Sequence, residues 1–141
     1  MPTLKIQLLR PEAVMPSYAN AGDAGMDLCT TERVVLKPGR MGVAPTGLAF
    51  QLPRGTVGLV WDKSGLATKQ GLKVLGGVID AGYRGEVMVG LVNLGPKTVT
   101  LEAGHKVAQL LVQSVHRPRI ARVAKLSSTA RGDKGFGSSG K

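Results

Sequence analysis

The sequence predicts an all-β protein, a sandwich or barrel of about ten short strands. Three observations point there. Runs of Val, Leu and Ile recur through residues 1–126, and twenty Gly and eight Pro punctuate the 141-residue chain. Only one segment, Ser64 to Gln70, has the look of a helix, and it is short. Hydrophobic residues make up 43% of the chain but aromatics only 4%, so the core has to be aliphatic. A chain of this length forms one domain: residues 1–126 read as the β core and 127–141 as a flexible arm.

The strands are expected at Thr3 to Leu9, Gly25 to Cys29, Arg33 to Leu36, Met41 to Leu52 with a break at Pro45, and Val57 to Trp61. Val74 to Ile79, Glu86 to Asn93, Thr98 to Leu101, Lys106 to Val115 and Arg119 to Ala124 follow. Lys37-Pro38-Gly39, Pro53-Arg54-Gly55 and Gly95-Pro96 separate them as turns, because Pro presets φ and Gly tolerates the left-handed region. From Ser127 onward the chain is Ser, Gly, Thr and basic residues with one aromatic, Phe136. It has too little apolar surface to fold alone.

Chemistry concentrates in Gly77-Val78-Ile79-Asp80-Ala81-Gly82-Tyr83-Arg84-Gly85. Two β-rich segments, Val74 to Ile79 and Val87 to Val92, flank it, the pattern of an antiparallel hairpin. Its tip offers a carboxylate in Asp80, a flat ring in Tyr83 and a guanidinium in Arg84: a base, a platform and an anion clamp. A plain solvated turn is the alternative. Asp23 and Asp27, four residues apart in a glycine-rich turn, read first as turn caps. Ser64 reads as the N-cap of the short helix or as an anion ligand there.

No metal cage is legible. His105 and His116 are eleven positions apart and Cys29 is remote, so a divalent ion has to arrive with a substrate, as magnesium does with phosphates. Gly135 to Lys141 imitates the start of a phosphate-binding P-loop but lacks the Ser or Thr after the lysine and the helix beyond it. The glycines and Arg131 remain suited to wrapping phosphate.

The net charge is +10, attractive to any polyanion. Residues 116–141 carry seven Lys or Arg against one Asp, a net +6. Single-strand binders stack bases on aromatics, which are scarce here, so nucleic-acid binding is not expected. Residues 1–12 lack the features of a signal peptide, no apolar run is of membrane-spanning length, and the one cysteine fits a reducing compartment. A cytoplasmic protein with no membrane contact is expected.

Read in order, the pieces resemble the five motifs of the trimeric dUTP diphosphatase (dUTPase) family: AGDAGMDL at 21–28, DKSGLA at 62–67, GGVIDAGYRGEVMVGLVN at 76–93, GHKVAQL at 104–110 and RGDKGFGSSG at 131–140. The resemblance implies a jelly-roll fold, a homotrimer with active sites shared between subunits, and magnesium-dependent hydrolysis of dUTP to dUMP and pyrophosphate. It also implies the biological role of keeping uracil out of DNA and supplying dUMP for thymidylate synthesis. By position, Asp80 would activate the water that attacks the α-phosphorus. Gly77, Val78, Ile79, Ala81 and Tyr83 would hold uracil and deoxyribose, with the Tyr83 ring excluding a 2′-hydroxyl.

Lys63, Ser64, Gly65 and Gln109 would meet the phosphates, and Asp27 would reach magnesium through water. From the arm, Phe136 would stack on uracil, Arg131 would neutralise the γ-phosphate, and Gly137, Ser138 and Ser139 would add donors. This chain departs from the family pattern at Lys63, where Arg is usual, at Gly82, where a second acid is common, at His105-Lys106 in place of acidic-Arg, and at Lys134 and Ser139. Two other classes compete. The dCTP deaminases share the fold but use a glutamate on the strand after the hairpin, and Glu86 lies too early for it. A nucleotide-sensing module without catalysis would leave Asp80, Tyr83 and the arm idle.

Overall fold

The computed structural model describes residues 1–135, 137, 139 and 140. Ten strands and one helix follow in the order β1 (Lys5–Leu8), β2 (Met26–Cys29), β3 (Val34–Leu36), β4 (Met41–Gln51), β5 (Thr56–Asp62), α1 (Ser64–Gln70), β6 (Leu72–Leu75), β7 (Val78–Ile79), β8 (Glu86–Asn93), β9 (Val99–Leu101) and β10 (Lys106–Ser114). They form two four-stranded antiparallel sheets, β1-β4-β8-β6 and β2-β10-β5-β7, with a β3-β9 ribbon beside them. This is a jelly roll: strands alternate inward and outward side chains, and the inward sets of the two sheets meet. Leu48, Phe50, Val89 and Leu91 from one sheet and Leu28, Ala108 and Leu110 from the other are all buried in that core.

Most expected strands form within a residue or two, and three expectations are corrected. The predicted strand Val74 to Ile79 is two strands in two different sheets. β6 pairs with β8, whereas β7 crosses to pair with β5. Gly76 and Gly77 make the break with φ of 70° and 105°, values that a residue with a Cβ rarely adopts. A Cβ on Gly77 would also lie 2.6 Å from the Val60 carbonyl oxygen.

The predicted break at Pro45 does not end β4. The strand continues to Gln51 with a register irregularity between Pro45 and Ala49, and the Thr46 hydroxyl donates to the Val87 carbonyl there at 2.7 Å. A bulge accommodates proline's missing N–H without terminating a strand. Arg119 to Ala124 forms no strand, and Ile120 is fully exposed. Among the described residues no helix or strand follows β10.

Candidate functional site

The parting of β6 and β7 at Gly76-Gly77 opens a cleft of about 230 Å³ between the legs of the hairpin, lined by Val60, Gly77, Val78, Asp80, Tyr83 and Glu86 among others. A continuous hairpin would have closed this space with ladder hydrogen bonds. Asp80, exposed at its rim, starts a turn that the Tyr83 N–H closes onto the Asp80 carbonyl at 3.0 Å. The Tyr83 hydroxyl donates to the Glu86 carbonyl at 2.8 Å, which holds the ring across the turn.

Arg84 is not the free clamp the sequence suggested. Its Nη1 donates to the carbonyls of Ala81 at 2.8 Å and Tyr83 at 2.9 Å, stapling the turn from inside. Glu86 is likewise committed. Its two oxygens take a fork from Arg10 at 2.7 and 2.8 Å, and the Gly47 N–H donates to it at 3.3 Å. The Arg10 hydrogen bonds hold its carboxyl below the usual Glu range against the opposing effect of burial.

A second cluster lies across the other sheet. Asp27, Gln109 and Trp61 are register partners on β2, β10 and β5, so their side chains share the outer face. Asp27 is buried, with 6% exposure. Lys63 Nζ donates to its Oδ1 at 2.5 Å, and Lys106 Nζ stands 2.7 Å from Oδ2. The Lys106 contact is a salt bridge to an oxygen that is itself buried. Burial raises the cost of this charge, yet the two ammoniums outweigh it and keep the carboxyl below the ordinary Asp value.

A β-bulge brings Lys106 to that carboxylate. The β10–β2 register steps from Ala108↔Leu28 to Lys106↔Cys29, leaving Val107 as the extra residue. One inserted residue reverses side-chain parity, so Lys106 points to the Asp27 face rather than away from it. Gln109 is placed by its Nε2, which donates to the Asp62 carbonyl at 2.9 Å, and it packs so closely on Gly25 that a Cβ there would meet Oε1 at 2.3 Å.

The N-cap of α1 is Lys63, without a side-chain cap bond, and Ser64 is the first helical residue. The expectation that Ser64 caps this helix is thus corrected. Ser64 and Gly65 are exposed beside Lys63. Asp23 accepts from the Asn20 N–H at 2.9 Å and closes a turn, which separates its role from that of Asp27. Among the described residues no three His, Cys, Asp or Glu side chains gather into a metal cage.

Within one chain the two clusters are far apart. Asp27 is level with Trp61, and Asp80 follows Ile79, which is level with Gly58. Three interstrand spacings and four residues along the strand separate them by about 20 Å. The outer face between them is apolar and open, with Trp61 52% and Val78 70% exposed. At the Asp80 end it widens into a cleft of about 490 Å³ that Arg54 and Arg117 line.

In the arm, Arg131 Nε donates to the Lys134 carbonyl at 3.1 Å, and Gly137 and Gly140 close a turn. Ser139 is described there, but Phe136 and Ser138 lie outside the described residues. The described arm residues are exposed and none is hydrogen-bonded to the hairpin or the Asp27 cluster. Sequence reasoning missed Lys106 as a partner of Asp27 and Arg10 as a partner of Glu86. No local signal marks either, because a bulge makes the first contact and 76 residues separate the second pair.

The dUTPase family model matches residues 11–140. The deoxyuridine 5′-triphosphate nucleotidohydrolase of Nocardia farcinica is 49% identical over 140 residues, covering 97% of this chain and 85% of that one. A solved mutant of the Staphylococcus bacteriophage 80alpha dUTPase with dUpNHpp superposes with a TM-score of 0.89 at 32% identity, covering 99% of each chain. A mutant dUTPase of the S. aureus phage phi11, described as revealing the coordination of a structural Mg(II) ion, has a TM-score of 0.81 at 30% identity and covers 87% of this chain and 97% of its own. No helix among the described residues is long and apolar enough to cross a membrane.

Proposed function

The chain belongs to the dUTPase family, and from that premise we propose how its two separated clusters carry out the hydrolysis of dUTP to dUMP and pyrophosphate. The parted hairpin carries the reading. Uracil enters the cleft between β7 and β8, where the backbone of Gly77, Val78, Ile79 and Ala81 meets its edge. Tyr83, held against the Glu86 carbonyl, lies under the deoxyribose and leaves a 2′-hydroxyl neither room nor a hydrogen-bond partner. Asp80 at the rim takes a proton from the water that attacks the α-phosphorus, the negative charge passing to the departing pyrophosphate. A positioned base of this kind contributes about a hundred- to ten-thousand-fold.

Lys63, Ser64, Gly65 and Gln109 receive the phosphates. Magnesium arrives with the triphosphate, and Asp27 would act on it through water, since the two ammoniums paired with its carboxylate disfavour direct ligation. The bound ion supplies charge neutralisation on the phosphate oxygens. Arg131, Phe136, Gly137, Ser138 and Ser139 of the arm close over the nucleotide, with Arg131 on the γ-phosphate and Phe136 on uracil.

One triphosphate cannot touch Asp80 and Asp27 of the same chain across about 20 Å. This separation supports a site shared between subunits. The apolar outer face of β2-β10-β5-β7 ends in Asp80 with Arg54 and Arg117 on one side and in Asp27 with its lysines on the other. Copies meeting head to tail on such a face bring unlike ends together and close into a ring, here a homotrimer with sites between subunits. The single buried cysteine fits a cytoplasmic enzyme.

Deamination is disfavoured by the state of Glu86, whose oxygens Arg10 and Gly47 already occupy, and a non-catalytic sensor gives no use to Asp80 at the cleft rim. Purified protein incubated with each deoxynucleoside triphosphate and magnesium should release pyrophosphate from dUTP alone, with no ammonia. Ammonia from dCTP, or no product at all, would reject the reading.

A further inference from the structure

Asp80 is not the only carboxylate at the nucleotide cleft. Glu86 borders the same space, three residues beyond the turn that Tyr83 closes, and an anionic side chain free to enter it would repel a triphosphate. What restrains it comes from the other end of the chain. Arg10, in the loop after β1, spans Glu86 with both terminal nitrogens at 2.7 and 2.8 Å and donates to the Thr31 hydroxyl at 3.2 Å. Thr31 is itself tied to the Pro45 carbonyl at the irregular stretch of β4. The Gly47 N–H takes up the same Glu86 oxygen. The carboxylate is thereby neutralised, only 19% exposed, and turned toward β4.

Resting on the dUTP-hydrolase reading above, we propose that Arg10 is a positioning residue of the nucleotide cleft, which pins and neutralises the Glu86 carboxylate so that the cleft accepts a polyanion. A bidentate guanidinium fits this task better than an ammonium, because it occupies both oxygens at once and fixes the plane of the carboxylate. Losing it leaves Glu86 ionised with one backbone donor. A carboxylate of that kind seeks solvent, and the cleft that Glu86 lines is within reach of its side chain.

The test compares Arg10→Met, Arg10→Lys and the double variant Arg10→Met with Glu86→Gln. Steady-state kinetics with dUTP are measured beside equilibrium binding of dUpNHpp and of uncharged deoxyuridine, at low and high salt. Arg10→Met should raise KM for dUTP and weaken dUpNHpp about tenfold. It should leave kcat within about twofold and deoxyuridine binding nearly unchanged, because the defect is charge repulsion. High salt should narrow the loss by screening, and the Glu86→Gln change should restore most of it.

A merely structural Arg10 would weaken deoxyuridine equally and gain nothing from Glu86→Gln, and either outcome overturns the proposal. If Arg10→Met does not fold, Arg10→Lys decides: with one contact instead of two, a KM rise of about threefold that Glu86→Gln reverses supports it, and an unchanged KM refutes it. A wild-type protein that binds dUpNHpp but does not hydrolyse dUTP would refute the hydrolase reading alone, since the binding comparison among variants still decides the role of Arg10.

Discussion

The hairpin and the Asp27 cluster each carry a carboxylate of the proposed nucleotide site, yet they are built in opposite ways. Asp80 is exposed on a turn whose own backbone bonds and Arg84 hold it in shape. Asp27 is buried in a strand and held by lysines from two other segments. A group that must exchange a proton with water has to stay open to it. A group that organises charge around phosphates gains from being fixed by its neighbours. The contrast predicts that the two carboxylates fail differently when altered.

The largest effect should come from Asp80→Asn. It should lower kcat by about a hundred- to ten-thousand-fold while dUpNHpp still binds and melting is unchanged, stability moving by no more than about 0.5 kcal/mol as for an exposed site. Near-wild-type turnover would end the assignment of Asp80 as base. Next in size is a complementation test. Asp80→Asn chains mixed equally with chains truncated after Thr129 should regain activity in about a quarter of sites if hairpin and arm come from different subunits of a randomly assembled trimer. No recovery in mixed trimers verified by mass would exclude that sharing.

Gly77→Ala tests the opening of the hairpin. Its φ of 105° and the 2.6 Å approach to the Val60 carbonyl should cost about 1–3 kcal/mol, read by denaturant unfolding, with uracil-nucleotide affinity falling too. An unchanged affinity would mean that the parting of β6 and β7 does not define the base site.

The smallest effect concerns the other carboxylate. Because the folded Asp27 carboxyl lies below its ordinary value of 3.8, its contribution to stability is full above that value and is lost as pH falls through the lowered folded one. Asp27→Asn should therefore destabilise by about 1 kcal/mol near neutrality, and the gap from wild type should close below pH 3.8. A gap that persists undiminished in acid would show that the pairing with Lys63 and Lys106 does not stabilise the fold.

How much of this was legible in the residues follows from how local each feature is. The β-rich character, most strand positions, the short helix and Asp80 at a turn could be read directly, because alternation, Gly and Pro placement and turn chemistry act over a few residues. The motif order carried the family resemblance and with it Asp27, Ser64 and Gln109. Hidden from view were the division of Val74 to Ile79 between two sheets, the continuation of β4 past Pro45, the commitment of Arg84 to its own turn, and the missing strand at Arg119 to Ala124. In each case the outcome depends on which strand or carbonyl lies opposite, and that is a property of the assembled sheets.

The sequence by itself determined that this chain builds an aliphatic β fold with a carboxylate at a glycine-rich turn, since those features rest on side-chain periodicity and backbone allowance. Tertiary structure alone decided what the charged groups do. Lys106 faces Asp27 only because Val107 is an extra residue in β10 and reverses the side-chain alternation. Arg10 meets Glu86 only because β1 lies against β4 and β4 against β8. An ion pair depends on distance in space, and over 76 residues of sequence separation that distance is set by the fold and not by any neighbouring residue.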